Sequence, residues 1–331
     1  MRHVYGVATR KGGQGKSTTV STLGRLCALY GVRVLVIDLA QPGTSSASLR
    51  NLWPEAEHGD LATAMMTFQL VPPNMLAPAD AAREVLSALG LPIILASQPS
   101  WSGGYIGVLP WDELQGDAAA HLHSGRVLES LIVALNSQFD IVLIDFPAEG
   151  GPLLTNALAA THTVILPIAP EIAALEGLEA MLRLMGQVRE SGHDLTLGGI
   201  LLTRCDPKTR RTLDSARTIV QTILQAGEVE GEPVGRKLFP FAIRGNEYFE
   251  QAFRYGEAIW ERTSNPAHWA GYVLLTEWLL CDADLAHLVS NRRGPAMLLP
   301  DTRVIDISAL MLSEPEVALG DFEKAHAPSS N

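Results

Sequence analysis

The residues with the clearest chemistry stand together near the start of the chain, in "ATRKGGQGKSTT", positions 8 to 19. Gly15, Lys16 and Ser17 complete a phosphate loop of the form G-x-x-x-x-G-K-[ST], although Arg10 stands where its first glycine is expected. Such a loop surrounds phosphate oxygens with backbone N–H groups and the N-terminus of the next helix. Gly12, Gly13, Gln14 and Gly15 would form the wrapping backbone. Lys16 would reach the β- and γ-phosphates, the Ser17 hydroxyl would ligate Mg²⁺, and Thr18 would touch the α-phosphate. Lys11 is a second lysine, and a single nucleotide needs only one. A site of this kind also needs a carboxylate at the end of a neighbouring strand, to hold the metal directly or through water. Asp38 in "VLVIDLA" and Asp145 in "IVLIDFP" both close apolar runs. Each either serves the nucleotide or caps the turn that follows it.

The elements that must position these groups are equally readable. "RHVYGVA" (2 to 8) is a short buried strand running into the loop, and a helix follows from about 17 to 30, with Val20, Leu23, Leu26, Cys27 and Tyr30 at helical spacing. "RVLVIDL", "LPIILASQ", "FDIVLIDFP", "HTVILPI" and "LGGILLTRC" are apolar runs of the kind expected for strands covered on both faces. Amphipathic helices separate them, at 121 to 138, 171 to 191 and 209 to 226. The pattern predicts an α/β fold: a doubly wound, mainly parallel sheet flanked by helices, of the P-loop NTPase kind. The region 51 to 90 is irregular and reads as helices decorating one edge. We place a first, nucleotide-loop domain at 1 to 262 and a helical C-terminal extension at 263 to 331, with "GDFEKAHAPSSN" expected as a mobile tail.

Composition narrows the class. The chain has 331 residues, 47% hydrophobic and 18% charged, which describes a globular protein. No apolar run approaches the ~20 residues of a membrane helix. No signal peptide is read at the start, and Cys27, Cys205 and Cys281 are far apart, so a cytoplasmic protein without a disulfide framework is expected. A net charge of −11 disfavours a uniformly basic nucleic-acid binder, yet leaves room for a local basic patch.

The loop "KGGQGKSTT" resembles the deviant Walker A motif of the ParA/MinD class of P-loop ATPases. "VLVIDLAQPGTSS" is similar to that family's switch I, and "FDIVLIDFPAEGGPLLTNAL" to its Walker B and switch II. "ILPIAPEIAALEGLEAM", "GGILLTRCDPKTR" and "LFPFAIRGNEYFEQAFRYGEAI" resemble the segments that follow, so the likeness covers roughly 1 to 262 and favours the ParA branch. It implies ATP and Mg²⁺ as cofactors, and a homodimer sandwiching two ATP molecules. Lys11 would then sense the nucleotide of the partner subunit. The resemblance makes Lys11, Lys16 and Asp38 the catalytic candidates, Ser17 and Asp145 the metal ligands, and sets Arg204 and Pro240 beside the nucleotide. It also implies a partner of the ParB kind, or a cargo adaptor, that stimulates hydrolysis. One departure matters: the family's switch I reads D-x-D-x-x-G, and its second aspartate is Ala40 here. Loss of a water-positioning group costs on the order of 10² to 10⁴ in rate. A long-lived ATP dimer is therefore expected, unless a partner or another residue, Glu149 being one candidate, supplies the group.

Five basic residues and two acidic ones fall within "TRCDPKTRRTLDSAR". The family binds DNA without sequence preference as the ATP dimer, so Lys208, Arg210, Arg211, Arg217 and, farther on, Arg244 are the DNA-binding candidates; the alternative is an ordinary solvated helix face. That reading expects a nucleoid-associated protein. Two other functions stay open: a hydrolysis-poor switch that recruits a protein partner, and a MinD-like regulator on the membrane. The acidic C-terminal segment disfavours the latter, and no membrane partner is expected.

Overall fold

The computed structural model describes residues 3–40, 44–49, 93–95, 104–110, 127–135, 139–291 and 304–312. The readings made for 51 to 90 and for the terminal tail lie outside them. Five parallel strands carry the centre: β1 (Val4–Val7), β2 (Arg33–Asp38), β4 (Tyr105–Pro110), β5 (Ile141–Asp145) and β6 (Thr163–Ile168). With β3 (Ile93–Leu95), β7 (Thr196–Cys205), β10 (Leu238–Arg244) and β11 (Ile305–Asp306) they form one nine-stranded sheet. Its order is β11-β10-β7-β6-β1-β5-β2-β4-β3, and only the two edge strands, β3 and β11, run antiparallel to their neighbours. A small hairpin, β8 (Glu228–Val229) and β9 (Glu232–Pro233), stands apart.

The apolar runs are unbroken because both faces of the sheet are covered. In β2, Val34 and Val36 enter the core on one face, and Leu35 and Ile37 the core on the other. The first face packs on α1 (Lys16–Leu29) and α9 (Ala270–Asp282). The second is covered by α3 (Val127–Leu135), α4 (Pro152–Ala159), α5 (Ala173–Glu190) and α6 (Arg210–Gln225). Short helices α2 (Thr44–Leu49), α7 (Glu247–Tyr255) and α8 (Ile259–Arg262) lie beside α1, and α10 (Ile307–Leu312) closes against α6. The helical C-terminal extension turns back onto the phosphate-loop helix: Tyr272 of α9 is buried, its hydroxyl 3.2 Å from that of Thr19. No helix of the described residues is long and apolar enough to cross a membrane.

Candidate active site

Three strand ends meet at one height. Val7 pairs with Asp145, and Asp145 with Asp38, so β1, β5 and β2 deliver the phosphate loop and both carboxylates to the same edge of the sheet. The loop turns there because Gly13 (φ 75°) and Gly15 (φ 86°) occupy left-handed conformations that favour glycine. Gly15 caps α1, and its carbonyl accepts the Thr19 N–H at 2.9 Å.

The rest of the loop is tied from outside. The Gln14 side chain is buried and accepts the Ala169 N–H at 2.7 Å, so it anchors the loop to the end of β6 and leaves only backbone for phosphate. Thr203 donates to the Gln14 carbonyl at 2.9 Å, and Arg204 Nη1 to the Gly13 carbonyl at 2.8 Å. Arg204 adopts φ 53°, a strained value for a non-glycine residue, and thereby reaches over the loop. Thr203 and the helix-opening Glu171 had no signature in the sequence beyond standing near apolar strand ends.

The two lysines are divided. Lys16 is buried; that burial pulls its pKa down, and the charge of Asp145 partly restores it. Lys11 lies at the mouth, where Nζ donates to Glu171 Oε2 at 2.5 Å, with the side chains 33% and 51% exposed. The bond from Lys11 holds the Glu171 carboxyl below its ordinary range.

Asp38 and Asp145 are fully buried. Asp38 accepts the Ala40 N–H at 3.1 Å. Asp145 is pushed up to about 7, first by burial and then by the charge of Asp38, with Ser17, Lys16 and Ser45 opposing the shift. Neither of its oxygens has a direct hydrogen-bond partner, so the Ser17 and Ser45 hydroxyls act on its charge without completing a bond. A buried carboxylate with two unsatisfied oxygens beside a serine hydroxyl fits a hard divalent cation such as Mg²⁺, which takes oxygen ligands.

Several candidates fall elsewhere. Pro240 sits inside β10, four residues before Arg244 at the strand's end, about 13 Å back at the ordinary rise. The C-terminal end of β10 and the turn after it are formed instead by Arg244, Gly245 and Asn246. Lys208, Arg210 and Arg211 are exposed on and just before α6. Arg217 is not directed outward: Nε donates to the Leu310 carbonyl of α10 at 2.8 Å, and Asp214 lies 3.6 Å from Nη1. Arg244 is half-buried beside Asp206, and burial lowers its pKa. These two arginines serve packing first.

A central parallel strand feeding a glycine loop and helix, with a buried lysine in the loop and carboxylates closing the next two strands, defines a P-loop nucleotide-binding protein. Residues 5–239 match the CobQ/CobB/MinD/ParA nucleotide binding domain, and the chain belongs to that family, among the deviant Walker A ATPases of the ParA/MinD superfamily. It is an ATPase. It is similar to the chromosome-partitioning ATPase Soj of Thermus thermophilus, 30% identical over 79% of this chain and 90% of that one. It is also similar to the sporulation initiation inhibitor protein Soj of Bacillus subtilis, 29% identical over 63% and 75%. Among solved structures, apo McdA of Cyanothece superposes with a TM-score of 0.60 at 20% identity, covering 86% of this chain and 99% of that one.

Proposed function

We propose that this ATPase closes into a homodimer around two ATP molecules, binds nonspecific DNA in that state, and positions or segregates a cargo such as a plasmid, a chromosome or a protein assembly. The observation that carries the reading is the division of the lysines. Lys16 is buried in its own loop, whereas Lys11 waits at the surface in an ion pair with Glu171, within reach of a facing subunit. The partitioning role rests on the similarity to Soj of Thermus thermophilus, a chromosome-partitioning ATPase by name. A ParB-like or cargo-adaptor partner would stimulate hydrolysis and reset the cycle, and the expected location is the nucleoid.

Within the site, the loop backbone and Lys16 would hold the phosphates, and Arg204 would steady the loop from above. Ser17 and Asp145 would hold Mg²⁺, which supplies charge neutralisation at the phosphates when bound. Asp38 would fix the switch I turn through Ala40 N–H, and Lys11 would act in trans on the partner's nucleotide. Exposed Lys208, Arg210 and Arg211 would contact DNA phosphates. Because Ala40 offers no side-chain acceptor, hydrolysis is slow and the ATP dimer long-lived.

Single-turnover hydrolysis by the wild type and by Ala40→Asp, with oligomeric state followed in parallel, tests this. The expected result is ATP-dependent dimers in both, and hydrolysis about 10² or more faster in the variant. Equal rates would mean another group positions the water; absence of ATP-dependent dimers in the wild type would remove the sandwich reading altogether. A hydrolysis-poor switch that recruits a protein partner is the second reading, favoured by Ala40 and separated from the first by whether the ATP dimer retains DNA.

A further inference from the structure

Helix α1 carries a positive charge where there is almost no water to meet it. Arg25 is 4% exposed in the third turn after the phosphate loop. Among the described residues no carboxylate lies within ion-pair distance of it; Glu261 and Glu257 favour its charge only from farther off, and burial brings its pKa down to about 10. The guanidinium is held by backbone instead. Nη2 donates to the Ser48 carbonyl at 3.0 Å and to the Gly256 carbonyl at 2.7 Å.

Both acceptors are helix ends. Ser48 lies in the last turn of α2, the helix that follows Asp38 and Ala40 in chain order, and Gly256 caps α7 in a left-handed conformation (φ 67°). Carbonyls at helix C-termini carry partial negative charge and lack helical partners, so they are suited to a buried cation. A single arginine in α1 thus closes two helices that are far apart in sequence.

Three features distinguish this from a simple cap. Both bonds leave the same nitrogen, so moving one carbonyl reorients the group that holds the other. Nε is buried and has no protein acceptor, which leaves a donor for a second arrangement of the same two carbonyls. Beside Arg25, a gap of about 10 Å³ lies among Thr18, Thr22, Ser48, Phe249 and Trp260, room for about one water.

We infer that Arg25 is a positioning residue that ties the helix after switch I to α7, so that switch I and the α7–α8 corner respond to the bound nucleotide as one body. The inference rests on the reading of this site as one that distinguishes ATP from ADP. The α7–α8 corner presents Tyr255, more than half exposed and covered by the Arg262 guanidinium at 4.4 Å from its ring centre, so the tie carries nucleotide state to an outer surface.

Hydrogen exchange on the full chain with Mg-ADP and with Mg-ATP tests it, in the wild type, in Arg25→Met and in Arg25→Lys. In the wild type, replacing ADP by ATP is expected to change exchange at both 44–49 and 247–262 by about threefold or more. In Arg25→Met the change at the phosphate loop and at 44–49 persists while that at 247–262 is lost, and ADP affinity stays within about threefold. Arg25→Lys, which retains the charge but not the planar fork, loses most of the 247–262 response as well. A merely structural arginine would change melting temperature without separating the two segments. The tie is overturned if wild-type ATP binding alters 44–49 and leaves 247–262 unchanged, or if either variant keeps the full 247–262 response. The first of these needs no variant to fold. A wild type in which ATP protects no part of the phosphate loop refutes the nucleotide reading itself, and the tie with it.

Discussion

Replacing Asp145 by asparagine should stabilise the protein without nucleotide, and the effect should depend on pH in a definite direction. Burial and the neighbouring Asp38 charge raise the Asp145 carboxyl from its ordinary 3.8 to about 7. The folded state therefore holds this proton to higher pH than the unfolded state does. The contribution to stability is fully present below about pH 4, declines as pH rises toward 7, and is lost above. At 1.36 kcal/mol per pH decade the ceiling is about 4 kcal/mol, and relaxation of the site brings the expected figure to about 2–4 kcal/mol. Asparagine has the same shape and no charge to bury. At pH 8 the variant should melt roughly 2–6 °C above the wild type, and at pH 4 the two should coincide. Millimolar Mg²⁺ with ATP should raise the wild-type melting temperature by more than the variant's, because asparagine removes one of the two proposed metal ligands and leaves Ser17 and the phosphate loop in place. Differential scanning calorimetry across pH 4 to 8, with and without Mg-ATP, reads all of this. An asparagine variant no more stable at pH 8, or equally favoured at pH 4, would show that the orphaned carboxylate is not the electrostatic burden argued here.

Glu171→Gln removes the partner of Lys11 from a pair that is one-third to one-half exposed, so stability should change by about 0–1 kcal/mol. Freed from its own chain, Lys11 should promote ATP-dependent dimers at a several-fold lower protein concentration, read by sedimentation velocity; weaker dimers would mean that Glu171 serves the interface directly. Arg217→Ala loses the bond to the Leu310 carbonyl, with a cost of about 1 kcal/mol, and should speed proteolysis at 304–312 while leaving DNA affinity unchanged. By contrast, Lys208→Glu, Arg210→Glu and Arg211→Glu should each weaken DNA binding by the ATP form and lower the salt slope by about 1, and an unaltered slope would remove α6 from the DNA face.

Much of this site could be read from local sequence because its causes are local. A glycine loop between a buried strand and a helix, and an aspartate closing each of two apolar runs, need no tertiary information, and the strand–helix alternation implies a parallel sheet without giving its order. What escaped depended on distant partners. Strand β4 has a weak signal in the sequence because Gly107 breaks its apolar run, yet a Cβ there would stand 2.7 Å from the Phe139 ring, so the glycine is what lets that ring pack. Arg217 stood in a basic run and read as solvent-facing; its carbonyl partner is 93 residues away. Pro240 lies inside β10, four residues before the strand's end, because a few residues along a strand carry a side chain far from that end. Arg25 is indistinguishable in sequence from a solvated helix arginine, and only the packing of α2 and α7 around it reveals the buried charge.

The missing switch I carboxylate now has a narrower set of substitutes. Asp38 is buried and one of its oxygens already closes the turn through Ala40 N–H, so it cannot swing out to a water without opening switch I. Asp145 is equally buried one strand over, on β5 beside β2. Glu149 differs from both: it is exposed, and it precedes Gly150 and Gly151, the latter in a conformation (φ 129°) that gives the loop freedom before Pro152 starts α4. The Arg10 guanidinium lies against Gly150, where an added Cβ would come within 2.9 Å of it, so the residue that replaces the first loop glycine packs on switch II. An exposed carboxylate with no fixed partner among the described residues is a poor water-positioner until something closes over it. Under the proposed dimer cycle, a second subunit or an activating partner closing on this face would control hydrolysis, and Glu149→Gln should abolish partner-stimulated turnover while sparing ATP-dependent dimerisation. Stimulated turnover that survives in Glu149→Gln would assign the missing group to the partner instead.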